Sequence, residues 1–130
     1  CDDIRNINFE NASIIVSNFT LQFISQKDRD NIIKSIFASL KKGGIFILSE
    51  KFLFEDESEN ERQVDNYYAF KRLNGYSNLE ISQKRNALEK VLIPETIDTH
   101  LTRIKNAGFE KCDVWFRCFN FGSMVAYKWS

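Results

Sequence analysis

The residue that asks most of its surroundings in this 130-residue sequence is Arg85. It falls within "NLEISQKRNALEKVL", on the same helical stripe as Ile81, Leu88 and Leu92. A guanidinium keeps its proton in any protein setting, so on an apolar face it needs an anion. Three arrangements meet that need. The partner can be Glu89, one turn on, or the aliphatic stem can carry the charge out to water. The third is a two-pronged grip on the carboxylate or phosphate of a ligand. A second set of polar residues follows two apolar runs: Ser17 and Asn18 after Ile14 to Val16, and Ser49 and Glu50 after Ile45 to Leu48. Ligands of open parallel sheets gather beyond the carboxyl ends of the strands. Asn18 there can hydrogen-bond the polar edge of a ligand or cap the turn that follows.

Other combinations are weaker. Asp2 and Asp3 are adjacent, so on a strand they point to opposite faces and cannot share one substrate proton. His100 stands alone in a polar helical stretch and is expected at the surface, with no Ser-His-Asp or Cys-His set around it. The three cysteines lack metal-ligand spacing, and no His, Cys or carboxylate cluster suggests a metal. Cys112 and Cys118 lie six apart in a strand-like run and are expected on one side of it as small buried groups. No catalytic residue is assigned. None of the five glycines lies in a Gly-rich loop between a strand and a helix, so the chain carries no phosphate cradle. Eighteen basic and eighteen acidic residues cancel, which argues against direct nucleic-acid binding. No apolar run reaches membrane-spanning length, no charged-then-apolar leader is read in it, and the cysteine usage leads to the expectation of a cytoplasmic protein.

The elements that must position these residues follow from periodicity. Ile14 to Val16 reads as a strand buried on both faces. "SQKDRDNIIKSIFASLKKGG" reads as a helix, with Ser25 and Asp28 as a capping box and a stripe of Ile32, Ile33, Ile36, Phe37 and Leu40. Lys41 and Lys42 suit its C-terminal dipole and Gly43 its left-handed cap. Ile45 to Phe54 is a second strand, which completes a parallel βαβ unit. An acidic loop and helix start, "EDESENERQ", leads into a helix ending near Gly75. Ser77 and Glu80 cap another helix, from Asn78 to about Leu92. Pro94 suits the first turn of a further helix closing at Gly108, and "CDVWFRCFNFGSMVAYKW" reads as an antiparallel hairpin around Asn120 to Gly122. The fold class is α/β: a mainly parallel sheet ending in an antiparallel hairpin, with a helical insertion.

"CDDIRNI", "ENASIIVSNFTLQFI", "GGIFILSEKF", "FKRLNGYSNLEISQKR" and "CFNFGSMVA" together resemble the carboxy-S-adenosyl-L-methionine synthase family of the tRNA wobble-uridine (uridine oxyacetic acid) pathway. That family lies in the class I S-adenosylmethionine-dependent methyltransferase superfamily. The resemblance covers nearly the whole chain but roughly the C-terminal half of the family protein. It implies that residues 1–130 are a single-domain fragment, the C-terminal part of a Rossmann-like methyltransferase fold. It further implies that Asp3 and the backbone at Ile4 contact the adenine of S-adenosyl-L-methionine. Asn18 would line the pocket near its methionine portion, and Arg85 would hold the carboxylate of the carboxylated product.

The implied reaction joins S-adenosyl-L-methionine and prephenate to give carboxy-S-adenosyl-L-methionine and phenylpyruvate. In it the sulfonium methyl loses a proton and the resulting ylide captures the carbon dioxide that leaves prephenate. A homodimer is implied, with the helical block around Arg85 as its surface. The family's Gly-rich loop and ribose-binding acidic residue lie before Cys1, so the fragment alone is expected to bind the cofactor poorly. The alternatives are an ordinary S-adenosylmethionine-dependent methyltransferase, which needs no carboxylate clamp, and a non-catalytic binding or dimerisation fragment.

Overall fold

Alternation along the strands decides which side chains reach the core, and it sorts the four strands cleanly. In the computed structural model, which describes residues 2–8 and 10–129 apart from the Glu89 side chain, a 3-10 turn (Ile4–Asn6) precedes β1 (Ala12–Asn18). There follow α1 (Gln26–Ser39), β2 (Leu40–Lys51), α2 (Glu57–Leu73), α3 (Asn78–Glu89), α4 (Ile97–Asn106), β3 (Lys111–Cys118) and β4 (Phe121–Tyr127). The sheet order is β1-β2-β4-β3. β1 and β2 are parallel, as the βαβ reading requires, and β4 pairs antiparallel with both β2 and β3. The predicted hairpin is therefore present, turning at Phe119 and Asn120.

One face of the sheet makes the core. Ile15, Phe46, Leu48, Met124 and Ala126 pack with Ile32, Ile33 and Ile36 of α1, Ile104 of α4, and Phe109. Each such burial contributes about 1.5–3 kcal/mol for the larger side chains. The other face is open at β1: Ile14 and Val16 are 59% and 52% exposed. The expectation of burial on both faces fails there, because β1 is an edge strand with a covered face on one side only.

Helix punctuation departs from expectation in three places. Ser25 is the N-cap of α1 but its hydroxyl makes no cap bond; the Asp28 amide donates instead to the Ser25 carbonyl (2.9 Å). Gly43, at φ +79°, does not cap α1, since the chain passes from Ser39 straight into β2. The cation at this helix end is Lys128, whose Nζ donates to the carbonyls of Phe37 and Leu40 (2.7 Å each); Lys41 and Lys42 are exposed. Pro94 does not open a helix either: Thr96 caps α4, while Glu95 forms a parallel bridge with Phe52. The Ser77–Glu80 cap is present: the Glu80 amide donates to the Ser77 hydroxyl, which in turn donates to the Glu80 carboxylate (3.1 Å each).

A buried charge network ties these pieces together. Arg29, fully buried, pairs with Glu95 and donates to the carbonyls of Ile24 (2.9 Å), Gln22 (3.1 Å) and Ile93 (3.0 Å). Arg103 grips the same Glu95 with two bonds (2.9 and 2.8 Å) and also reaches Asp30 (2.8 Å). Burial opposes ionisation of Glu95, but hydrogen bonds from Arg103 and Arg29 outweigh it and hold its carboxyl below the usual range.

Two further expectations are corrected. His100 is buried at 2% exposure, edge-on to Phe52 (5.5 Å), and burial pulls its pKa down to about 4. It lies on the inward face of α4, which a polar local sequence did not reveal. Cys112 and Cys118 face opposite sides, because a bulge makes Trp115 an extra residue and puts Cys112 opposite Ala126 but Cys118 opposite Phe121. Cys118 is exposed, while burial pushes the Cys112 thiol up to about 11.

Candidate functional site

Two helices and a strand end enclose a cleft of about 240 Å³ at the carboxyl end of β2. Helical spacing puts Asn60, Val64, Tyr67, Tyr68 and Lys71 on one face of α2. The same spacing puts Ile81, Lys84, Arg85 and Leu88 on the facing side of α3. Lys51 and Phe52 rise from the end of β2, and Leu92, Pro94 and Asn120 complete the lining. Asp56 starts α2 by accepting from the amides of Ser58 (2.9 Å) and Glu59 (3.3 Å), and Ser77 starts α3, so both helices are anchored at their N-termini. Gly122 sits against the Phe52 ring, where a Cβ would collide, so this position needs glycine for Phe52 to close the cleft.

The lining contains four cations, Lys51, Lys71, Lys84 and Arg85, and no carboxylate among the described residues. Lys51 Nζ lies between the rings of Tyr67 (5.3 Å) and Phe121 (5.2 Å). Lys71 Nζ lies over Tyr67 (4.8 Å) and Tyr76 (5.5 Å), and the Arg85 guanidinium is 5.5 Å from the Tyr68 ring centre. Burial first, then repulsion from Lys71 and Lys84, lowers the Lys51 pKa. This is the electrostatic signature of a site arranged to receive negative charge.

Arg85 is thus where its spacing placed it, in one lining with Ile81, Leu88 and Leu92. The alternative pairing with Glu89 lies outside the described residues. The other three candidates do not line this cleft. Asp3 caps the Ile4–Asn6 turn and accepts from Arg5 at Nε (2.9 Å), Nη2 (2.6 Å) and the amide (2.9 Å), which hold its carboxyl down at about 2. Ile4 packs against the core, and Arg5 approaches Asp28 in the first turn of α1 (3.6 Å). Asn18 ends β1 beside Ser49, exposed, and the turn after it is closed by the Thr20 hydroxyl donating to the Asn18 carbonyl (3.0 Å). Phe19 follows at φ +49° and meets Phe121 (5.8 Å), which meets Tyr67 (4.8 Å), so Asn18 is one aromatic chain away from the cleft.

Glu50 and Ser49 separate by strand alternation. Ser49 joins the Ser123 hydroxyl (2.9 Å) on the open face. Glu50 points to the core, fully buried, with neither carboxylate oxygen hydrogen-bonded among the described residues. Burial pushes its pKa up to about 8, against weaker opposing effects from the nearby Gln22 and Leu21 amides and Arg29. Lys51, Lys71, Lys84 and Asn120 were missed by sequence reasoning. The available signal was the three- and four-residue spacing of cations and tyrosines on α2 and α3.

No family model matches the sequence. The chain is similar to carboxy-S-adenosyl-L-methionine synthases along nearly its whole length. Identity is 55% over 128 residues to that of Mannheimia succiniciproducens, covering 98% of this chain and 53% of the relative. It is 58% over 126 residues to that of Vibrio campbellii, covering 97% of this chain and 51% of the relative. The chain therefore spans about half the length of these relatives. Among solved structures, "PigF with SAH" superposes at a TM-score of 0.64 with 19% identity, covering 97% of this chain and 33% of that one. Human N-acetylserotonin methyltransferase in complex with SAM superposes at 0.67 with 15% identity, covering 99% and 33%. The fold is accordingly part of a class I S-adenosylmethionine-dependent methyltransferase fold.

Proposed function

We propose that the full-length protein is a cytoplasmic transferase that converts S-adenosyl-L-methionine and prephenate to carboxy-S-adenosyl-L-methionine, phenylpyruvate and water, the methyl proton leaving with the ring hydroxyl of prephenate, for wobble-uridine modification of tRNA. The observation that carries this reading is Arg85 in a cleft lined by cations, in a chain 55% to 58% identical to carboxy-S-adenosyl-L-methionine synthases. A plain sulfonium is itself a cation and gains nothing from such a lining. A cofactor bearing an added carboxylate does gain.

In this reading the Arg85 fork holds the new carboxylate, with the Tyr68 ring steadying the guanidinium plane. Asp3 and the Ile4 backbone take the adenine, and Asn18 the methionine portion. A carboxylate offers about four acceptor directions. Arg5 uses three of them on half-exposed Asp3, which leaves one for an adenine amine. The apolar walls, Phe52, Val64, Ile81 and Leu88, flank the reacting groups. Among the described residues no helix is long and apolar enough to cross a membrane. A homodimer formed through α2 and α3 is supported by Leu73 and Leu79, 87% and 67% exposed at their junction.

Incubating full-length protein with S-adenosyl-L-methionine and prephenate yields phenylpyruvate and a cofactor heavier by one carboxyl group. Transfer of a plain methyl to an acceptor, without that product, overturns the reading in favour of an ordinary methyltransferase.

A further inference from the structure

An ammonium group carries three donors and no acceptor. That of Lys51, half-buried at the strand end, meets two ring faces, Tyr67 (5.3 Å) and Phe121 (5.2 Å). It makes no hydrogen bond or ion pair among the described residues. The titratable groups that share its cleft are Tyr67, Tyr68 and Lys71 from α2 and Lys84 and Arg85 from α3. Glu50, its neighbour on β2, points through the sheet to the core. Confinement between rings and repulsion from like charges both work against the ammonium form, which agrees with the lowered pKa of Lys51. A neutral lysine amine is a nucleophile.

The same surroundings favour an anion at the end of this side chain. Turning the amine into an acid group replaces repulsion from Lys71 and Lys84 by attraction. A second observation is independent of charge. Asn120, next to Phe121 in the hairpin and in the same lining, has its Oδ1 buried and unpartnered among the described residues. A buried acceptor in this state calls for a donor N–H or O–H. The space, about 240 Å³, is ample for a small addition to the lysine.

We propose that Lys51 is a carbamylation site, at which its neutral amine takes up carbon dioxide. The nitrogen lone pair forms the new N–C bond, one C=O pair moves onto oxygen, and one amine proton leaves to solvent. The product is a carbamate, with one N–H donor and one carboxylate. Its N–H goes to Asn120 Oδ1, Lys84 pairs with its carboxylate, and Lys71 adds to the favourable potential. Carbon dioxide thereby supplies the cleft with an anion of its own and competes with anionic ligands. The modification needs only dissolved carbon dioxide, so it does not depend on the reaction proposed above.

Full-length protein equilibrated with 13C-labelled carbon dioxide and bicarbonate, without S-adenosyl-L-methionine, tests this. Triethyloxonium converts the labile carbamate to a stable ethyl ester, and peptide mass spectrometry locates the label. Lys51 carries at least about tenfold more label than the exposed Lys41 and Lys42. Lys84→Gln, at an exposed position, lowers the Lys51 label by about threefold or more. In 13C NMR the carbamate resonance disappears in Lys51→Arg, which keeps the cation and cannot form this adduct. Label at Lys51 no higher than at the exposed lysines, or a resonance that survives in Lys51→Arg, overturns the proposal. An unchanged label in Lys84→Gln also overturns it, because the cation cluster would then play no part. Labelled Lys51 in a protein that forms no carboxylated cofactor supports the modification and refutes only the reaction.

Discussion

Charged residues collect in two regions of this molecule, and they are treated in opposite ways. Around Glu95, the charges of Arg29 and Arg103 are met by Glu95 and Asp30, and spare guanidinium hydrogens go to backbone carbonyls. In the α2–α3 cleft four cations are brought together with no carboxylate among the described lining residues. The first region is complete, and its order fixes the segment from Ile93 to Thr96 against β2 and α1. The second is incomplete and partly open to solvent. Matched and sealed charges build scaffold; lysines gathered in a cleft whose described lining holds no carboxylate favour an anionic ligand.

The sharpest way to test the contrast is to break the matched side. Glu95→Ala leaves Arg29 buried with an uncompensated charge and costs on the order of 3–5 kcal/mol in urea unfolding. A loss below about 1 kcal/mol would mean that the network is not scaffold.

Glu50 stands between the two regions: buried like the network, unmatched like the cleft. Its folded pKa of about 8 lies above the ordinary 4.5, so the folded state binds a proton that the unfolded state releases between those values. Its contribution is fully present below about pH 4.5 and is lost as pH rises towards 8. Glu50→Gln removes that decline, a gain on the order of a few kcal/mol at pH 8 and little change at pH 4, read from unfolding midpoints across pH. His100 acts with the opposite sign: neutral in the fold down to about pH 4, it lowers stability as pH falls from 6.5 towards 4.

Lys128→Met uncovers the carbonyls of Phe37 and Leu40 and costs about 1 kcal/mol. The smallest effect belongs to the cleft. Lys84→Gln removes a repelling charge and leaves Tm within about 1 °C or raises it. A clear fall in Tm would place Lys84 in the scaffold and collapse the distinction.

Much of this was legible in the sequence. The βαβ unit, the Ser77–Glu80 cap, the terminal hairpin and the place of Arg85 on its stripe all follow from local periodicity and capping chemistry. What local pattern could not carry is long-range. Glu95 draws its partners from α1 and α4, Lys128 caps a helix from the far end of the chain, and Lys51 joins the cleft only once β2 docks beside β4. Cys118 shows the limit of a strict period of two, since a single bulge at Trp115 turns it to the opposite face from Cys112. The exposed face of β1 shows that an apolar run reports burial only where an element lies over it.

The central claim is that Arg85 recognises an added carboxylate. The direct measurement is the affinity of full-length wild-type and Arg85→Ala protein for carboxy-S-adenosyl-L-methionine and for S-adenosyl-L-methionine. Loss of the clamp weakens the carboxylated cofactor by about tenfold or more and changes the plain one by less than about twofold. Equal effects on both, or none on either, would contradict the account.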